Sequence, residues 1–581
     1  MNKEKTTEFV DRQWDESIIP KLCEYIKVPN KSPVFDPDWE RHGHMERAIK
    51  MLEEWCRDQP IAGMKTEIVR LNGRTPLLFI DIPGASDDVV LLYGHYDKQP
   101  EFSGWSEGLG PWQPVVSDGK LYGRGGADDG YAVFGSLTAI RALQDQGVQH
   151  AHCVIIIEGC EESGSFDLPY YIDELGDRIG SPGLVVCLDA ECGNYDQFWC
   201  TTSLRGNLVG TLHVDVLREG VHSGSASGIV PSSFRILRQL LSRVEDPFDG
   251  RILVRELHSD IPDERRQQAE LAAEVLKDSV WRRFPWLDAN AAPKESGLEL
   301  MLNNTWRPTL SVTGADGLPA LVNAGNVLLP RTTLKLSFRL PPSCEPQAAS
   351  RALKATLEAD PPPFAKVRFD VESTMGGWDA PPVADWLESS MRAASETWFG
   401  RPSMYMGAGG SIPFMGMLGE KFPDAQFLVT GLLGPKSNAH GPNEFLHIET
   451  GKRLTCCVSQ VLEDHFLRRR RPSRARSGRR DATYADHHRT VDTGDGPSMA
   501  VAQPVAVRTA PGRHRDRQAG LPLLLSHYDH DPGQRHRKRR AVVFPPVSAS
   551  PSCWSPLVAR LRSEFDPTSS QETHPRTELI T

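Results

Sequence analysis

The sequence predicts an α/β protein: a layered first domain, interrupted by an inserted α+β domain and followed by a basic tail. Three observations carry this expectation. Uninterrupted apolar runs alternate with helical patterns over the first 205 residues, the pattern changes from about Arg205 and reverts after residue 380, and sustained periodicity is lost past Leu467.

The elements follow in chain order. "EFVDRQWDESIIPKLCEYIKV" and "MERAIKMLEEWCRDQ" have the apolar spacing of helices, and "LLFIDIPG" and "VVLLYGH" read as strands. After a glycine-rich loop, Val133, Phe134, Leu137, Ile140 and Leu143 share one face of a helix that stops at Gly147, and "CVIIIEG" and "GLVVCLDA" add two buried strands. These segments make residues 1–205 the first part of a discontinuous domain. Over residues 206–380, the alternating strands "NLVGTLHVDVLRE" and "TTLKLSFRL" accompany helices at "PSSFRILRQLLSRV" and from Glu264 to Lys277, which predicts the inserted domain. "AQFLVTGLL" and the helix "TGKRLTCCVSQVLEDHFL" complete the first domain over residues 381–467. Residues 468–581, rich in Arg, Pro and Ser, form a low-complexity basic tail whose composition predicts disorder. Its Arg clusters lack aromatic interleaving or a known module, so a nucleic-acid partner is not expected.

At 581 residues, 39% hydrophobic and 24% charged, the chain has the make-up of a soluble globular protein, and a net charge of −10 gives no reason to expect an anionic partner. No run approaches the roughly 18 apolar residues of a membrane span. The N-terminus carries charges where a signal peptide needs its apolar centre, so the expected location is cytoplasmic. The 11 cysteines are scattered without a C-x-x-C pair, which predicts reduced thiols, Cys160, Cys187 and Cys192 among them near the core.

The chemistry gathers where apolar runs end. "VVLLYGHYDKQP" reads as a strand buried on both faces, with His95 and Asp97 at its carboxyl end, where open α/β sheets keep their active sites. "GRGGADDG" delivers Asp128 and Asp129, "IIIEGCEESGS" delivers Glu161 and Glu162, "VVCLDAE" delivers Asp189, and the loop after "FLVTG" delivers His440. Singly, each has a plain structural alternative: a helix cap, a solvated pair, an ordinary loop histidine. Together, crowding these carboxylates and two imidazoles without a compensating cation would cost several kcal/mol in repulsion and desolvation, which two divalent metals would offset.

These segments, with "TTSLRGNL", "GVHSG", "GGSIPF" and "AHGPNE", resemble in order and spacing the co-catalytic zinc peptidases of clan MH. That family includes carnosine-type dipeptidases, carboxypeptidase G, aminoacylases and succinyl-diaminopimelate desuccinylase. The resemblance spans roughly residues 10 to 466 and implies a discontinuous zinc-peptidase catalytic domain with an inserted lid and dimerisation domain. It implies that His95 and Asp189 hold one metal, Glu162 and His440 the other, and that Asp128 bridges them. Asp97 would orient His95, and Glu161 would be the general base. The metals would be zinc, with manganese or cobalt as alternatives. His222 would stabilise the oxyanion in the partner subunit of a homodimer, Arg339 would bind a substrate carboxylate, and Asn326, Gly410 and Ser411 match other substrate-contact positions.

The sequence also departs from its relatives. Gly130 and Tyr131 follow the paired Asp where many have a Lys, and Ala408 precedes "GGSIP" where many dipeptidases carry an acid. Ala408 offers nothing to a substrate ammonium unless another acid such as Glu444 takes its place. The expected activity is hydrolysis of a small peptide with a free carboxylate, with deacylation of N-acyl amino acids as the rival. A non-catalytic binding protein on the same fold is the rival of another class, disfavoured because every ligand position is filled.

Overall fold

The computed structural model describes residues 1–468 apart from 289 and 291, so the expected disorder of residues 468–581 lies, beyond Arg468, outside the described residues. A six-stranded sheet organises the site. Its order is Lys65–Val69, Leu77–Ile82, His152–Glu158, Val89–His95, Pro182–Cys187, Gln426–Val429. The last four strands run parallel, and Leu77–Ile82 and Lys65–Val69 add antiparallel neighbours.

The continuous apolar runs are explained by cover on both faces. Successive strand residues point to opposite sides. Val90, Leu92, Ile155, Ile157 and Val186 join one core with the helices Lys3–Gln13, Ile19–Ile26, His44–Arg57, Ala132–Gln144 and Ile448–Leu467. Leu91, Tyr93, Val154, Ile156 and Val185 join another, with Leu168–Glu174 and Met415–Lys421. The N-terminal helical run is not uniform: it passes through a π-turn at Trp14–Ile18 before Pro20, whose missing N–H cannot serve the preceding turn. The strand Lys65–Val69, polar and half-buried at the sheet edge, was not expected from the sequence.

A four-stranded antiparallel sheet is ordered Thr309–Asp316, Arg331–Leu340, Gly206–Asp215, Lys366–Met375. Gly206–Asp215 alternates buried and half-buried residues without interruption, because one face packs under the helices Ser233–Leu241 and Pro346–Glu358 and the other does not. The helices Asp263–Leu276 and Gly297–Thr305 pack elsewhere. Ala269, Ala272, Met301 and Leu302 share a core with Trp199 and Met406, which belong to a separate three-stranded sheet of Trp378–Asp379, Trp199–Leu204 and Met404–Ala408. All ten cysteines among the described residues are free thiols, and Cys160, Cys187 and Cys192 are buried.

Candidate active site

Parallel pairing puts the carboxyl ends of four strands along one sheet edge, and the expected residues lie just past them. His95 closes its strand, and Glu161 and Glu162 form a single 3₁₀ turn beyond Glu158. Asp189 follows Cys187, and His440 lies in the loop after Val429, in the left-handed region at φ 64°. Asp128 comes from the loop ahead of the helix Ala132–Gln144 and does not cap it, and its peptide with Asp129 is cis. Gly94 allows the close approach of this loop, since a Cβ there would lie 2.4 Å from Ala132 Cβ and 2.7 Å from Asp129 Oδ2.

The two oxygens of Asp128 face different imidazoles. Oδ1 is 3.3 Å from His95 Nε2 and Oδ2 is 3.1 Å from His440 Nε2. Each imidazole has a further carboxylate: Asp189 lies 3.8 Å from His95 Nε2 and Glu162 3.2 Å from His440 Nε2. His95, Glu161 and Asp189 offer ligand atoms within 4.8 Å of one another, as do His95, Asp128 and Glu162. Glu161, expected to stay off the metals, is therefore itself a member of one group, and His440, an expected ligand, is in neither.

Asp97 does more than face His95. Its Oδ1 is 3.3 Å from His95 Nδ1, which leaves Nε2 free to ligate, and its two oxygens accept the backbone N–H groups of Glu161 at 3.1 Å and Glu162 at 3.0 Å. One buried carboxylate thus ties the His95 strand end to the Glu161–Ser163 turn. Gln99 donates to Glu162 Oε2 at 2.6 Å. Lys98, wholly buried, donates to the carbonyls of Tyr25 and Val28 at 2.8 Å, while the Tyr25 hydroxyl donates back to Tyr96 O at 2.6 Å. Asp129 is also buried; its Oδ2 accepts the His95 N–H at 3.3 Å.

Glu444 is engaged within the protein. It is buried, paired with the buried Arg124 at 2.5 Å, and accepts the Gly125 N–H at 2.8 Å. Arg124 also donates to Gly441 O at 2.8 Å, so the pair joins the loop of Asp128 to the loop of His440. The sequence reading missed this role. Both residues lie inside the quoted motifs, but no spacing signal links positions 320 residues apart.

Six buried or half-buried carboxylates, Asp97, Asp128, Asp129, Glu161, Glu162 and Asp189, crowd around two imidazoles. Burial raises the pKa of Glu161 and Asp189 well above the usual carboxylate range, and neighbouring carboxylates add to it. Burial would raise Asp128 too, but hydrogen bonds from His440 and His95 bring it below that range. Burial disfavours both imidazolium forms, yet Asp128, Asp189 and Asp97 raise His95 well above its ordinary value, and Glu162 and Asp128 raise His440 to about 11. The cluster calls for positive charge, which divalent cations would supply in place of protons. Its imidazole and carboxylate donors suit zinc, manganese or cobalt, so the residues fit the implied metals.

The expected substrate residues form two further groups. Arg339 donates to Ser411 Oγ at 3.1 Å, Ser411 Oγ donates to Arg205 O at 2.5 Å, and Arg205 N donates to Gly410 O at 3.1 Å. His222 and Asn326 are exposed neighbours on a short ladder, where Val221–His222 pairs with Val327–Leu328 and Ser223 N donates to Asn326 O at 2.9 Å. Among the described residues, no hydrogen bond or ion pair joins either group to the carboxylate and imidazole cluster.

The profile of peptidase family M20/M25/M40 matches residues 91–464. The Cys-Gly metallodipeptidase dug1 of Schizosaccharomyces pombe is 26% identical over 496 residues, covering 78% of this chain and 97% of that protein. The cysteinylglycine-S-conjugate dipeptidase of Corynebacterium striatum is 24% identical over 370 residues, 62% of this chain and 78% of its own. Among solved structures, human carnosine dipeptidase 1 shares the fold with a TM-score of 0.64 at 22% identity, covering 79% of this chain and 98% of that one.

Proposed function

The chain belongs to peptidase family M20/M25/M40, and from that premise we propose that it is a two-metal hydrolase cleaving dipeptides or similar small amides with a free carboxylate. The hydrolase class and its dipeptidase character follow from the family and its named relatives. The two-metal reading rests on one observation: Asp128 turns one oxygen to His95 and the other to His440, and each imidazole has a further carboxylate of its own.

In this reading His95 and Asp189 would hold one ion, Glu162 and His440 would hold the other, and Asp128 would contribute to both. When bound, divalent ions such as zinc polarise a scissile carbonyl and lower the pKa of water. Glu161 takes the proton from the attacking water and passes it to the leaving amine. Asp97 fixes the tautomer of His95 and the turn that carries Glu161. Arg339, Ser411 and Gly410 receive the substrate carboxylate.

Deacylation of N-acyl amino acids stays the second reading, favoured by Ala408 and by the engagement of Glu444 with Arg124. The deciding measurement is kcat/KM for a free dipeptide, its C-terminal amide and the corresponding N-acetyl amino acid. The amide should be poor, and Arg339→Ala should lower kcat/KM for the free acid by about 10- to 100-fold while leaving the amide little changed, because a hydrogen bond to a charged group is worth about 1.5–3 kcal/mol. Equal rates for amide and free acid would remove Arg339 from its role. Cleavage of the N-acetyl substrate alone would replace the dipeptidase reading with the deacylase one.

We assign residues 206–380 as a lid and dimerisation domain that carries His222 and Asn326 to a neighbouring copy. Support comes from exposed apolar side chains beside that ladder: Leu321 is 95% exposed, Val322 89% and Ile229 83%. Mixing an inactive Glu161→Gln protein with an inactive His222→Ala protein should then regenerate activity, since both defects fall in one site of a heterodimer and the other site is intact. No recovery after demonstrated subunit exchange would mean a site complete within one chain.

A further inference from the structure

A cavity of about 500 Å³, within the usual range of small-molecule pockets, is walled by the helices Asp263–Leu276 and Gly297–Thr305, the segment between them and the strand Met404–Ala408. Its walls include Trp281, Phe284, Trp286, Met301 and Met406. One edge is Glu191, two residues past Asp189; another is Gly407, next to Ala408 on the strand that leads to Gly410 and Ser411. Asn304 also lines it and abuts the same loop, since a Cβ on Gly409 would lie 2.7 Å from Asn304 Nδ2. The cavity therefore touches the turn after Asp189 and the strand that leads to Ser411.

Its aromatic rings are held in place yet left uncovered. Trp286 Nε1 donates to Trp281 O at 2.7 Å, and the two indoles meet edge to face at 6.4 Å. Phe284 is 50% exposed and Trp286 48%. Covering such rings with an apolar group is favourable, and the ordering cost is already met by the fold. The charged groups on the wall are Glu191, Arg283 and Glu295, and Arg283 is ion-paired to Glu191 at 3.6 Å. Arg283 Nε is buried with no hydrogen-bond partner among the described residues. With Arg283 engaged by Glu191, the exposed Glu295 leaves the wall with a net negative charge, which disfavours the carboxylate end of a peptide.

We propose that this cavity receives the side chain of the residue that supplies the scissile carbonyl, and that it selects a large apolar or aromatic side chain. The inference rests on the peptidase reading above and deepens it. It separates this chain from relatives named for Cys-Gly and β-Ala-His, whose first residues are small.

The test compares kcat/KM for Phe-Gly, Ala-Gly and Ala-Phe. Phe-Gly should exceed Ala-Gly by about tenfold or more, the usual return for burying a large apolar side chain. The double change Trp281→Ala/Trp286→Ala should bring that ratio toward one. So should Ser279→Trp, which fills the cavity from an exposed position. A ratio near one in the unmodified protein, a ratio preserved in both variants, or a gain that follows the second residue in Ala-Phe would overturn the proposal. Calorimetric binding of Phe-Gly and Ala-Gly to the Glu161→Gln protein separates this from the parent reading. If the unmodified protein cleaves none of the three but the variant binds Phe-Gly about tenfold more tightly, the cavity assignment stands and the peptidase reading fails; equal affinities overturn the cavity assignment.

Discussion

Glu161→Gln should lower kcat by about 10²- to 10⁴-fold, the usual contribution of a positioned general base. Gln keeps the length and one oxygen of the side chain but cannot accept and release the proton. The Glu161 backbone is held independently of its side chain, through its N–H to Asp97 at 3.1 Å, so the turn and Glu162 beside it should stay in place. Metal content by elemental analysis should therefore match that of the unmodified protein. Near-normal turnover in a metal-replete variant would falsify the assigned role. Loss of metal together with activity would instead count Glu161 among the ligands, as its closeness to His95 and Asp189 allows.

Glu444→Ala should destabilise the fold by about 3–5 kcal/mol, the cost of leaving a buried charge without its partner. Arg124 is the charge left behind, and the Gly125 N–H also loses its acceptor. Because Arg124 reaches Gly441 O as well, the loop carrying His440 should loosen against the loop carrying Asp128. Urea unfolding would measure the loss, and a fall in metal affinity would report the loop. Replacing the pair with apolar residues of similar size, Glu444→Leu with Arg124→Met, should recover most of the stability, because no unpaired charge remains. A loss below about 1 kcal/mol in the single variant would show that the pair does not hold these loops.

The residues that gather at the sheet edge were legible one by one. His95, Asp97, Glu161, Glu162 and Asp189 each follow an apolar run that reads as a strand covered on both faces, and a polar cluster just past such a run lies at the sheet edge. Arg339 and Ser411, 72 residues apart, were legible only through the resemblance, since neither stands out from its neighbours in composition. The helix Asp263–Leu276 was legible as a helix, but not as a neighbour of Trp199 and Met406.

Where strands and helices form, and which of their ends carry carboxylates and imidazoles, is written locally in the chain, because burial periodicity and chain-end polarity are properties read over a few residues. Long-range packing sets the antiparallel strand Leu77–Ile82 beside His152–Glu158, pairs Glu444 with Arg124, and makes Glu191, Trp281, Met301 and Met406 wall one cavity. These are meetings between distant segments. An apolar face specifies that it must be covered but not by what, and a buried charge needs a partner without stating its place in the chain; packing of the whole core selects both.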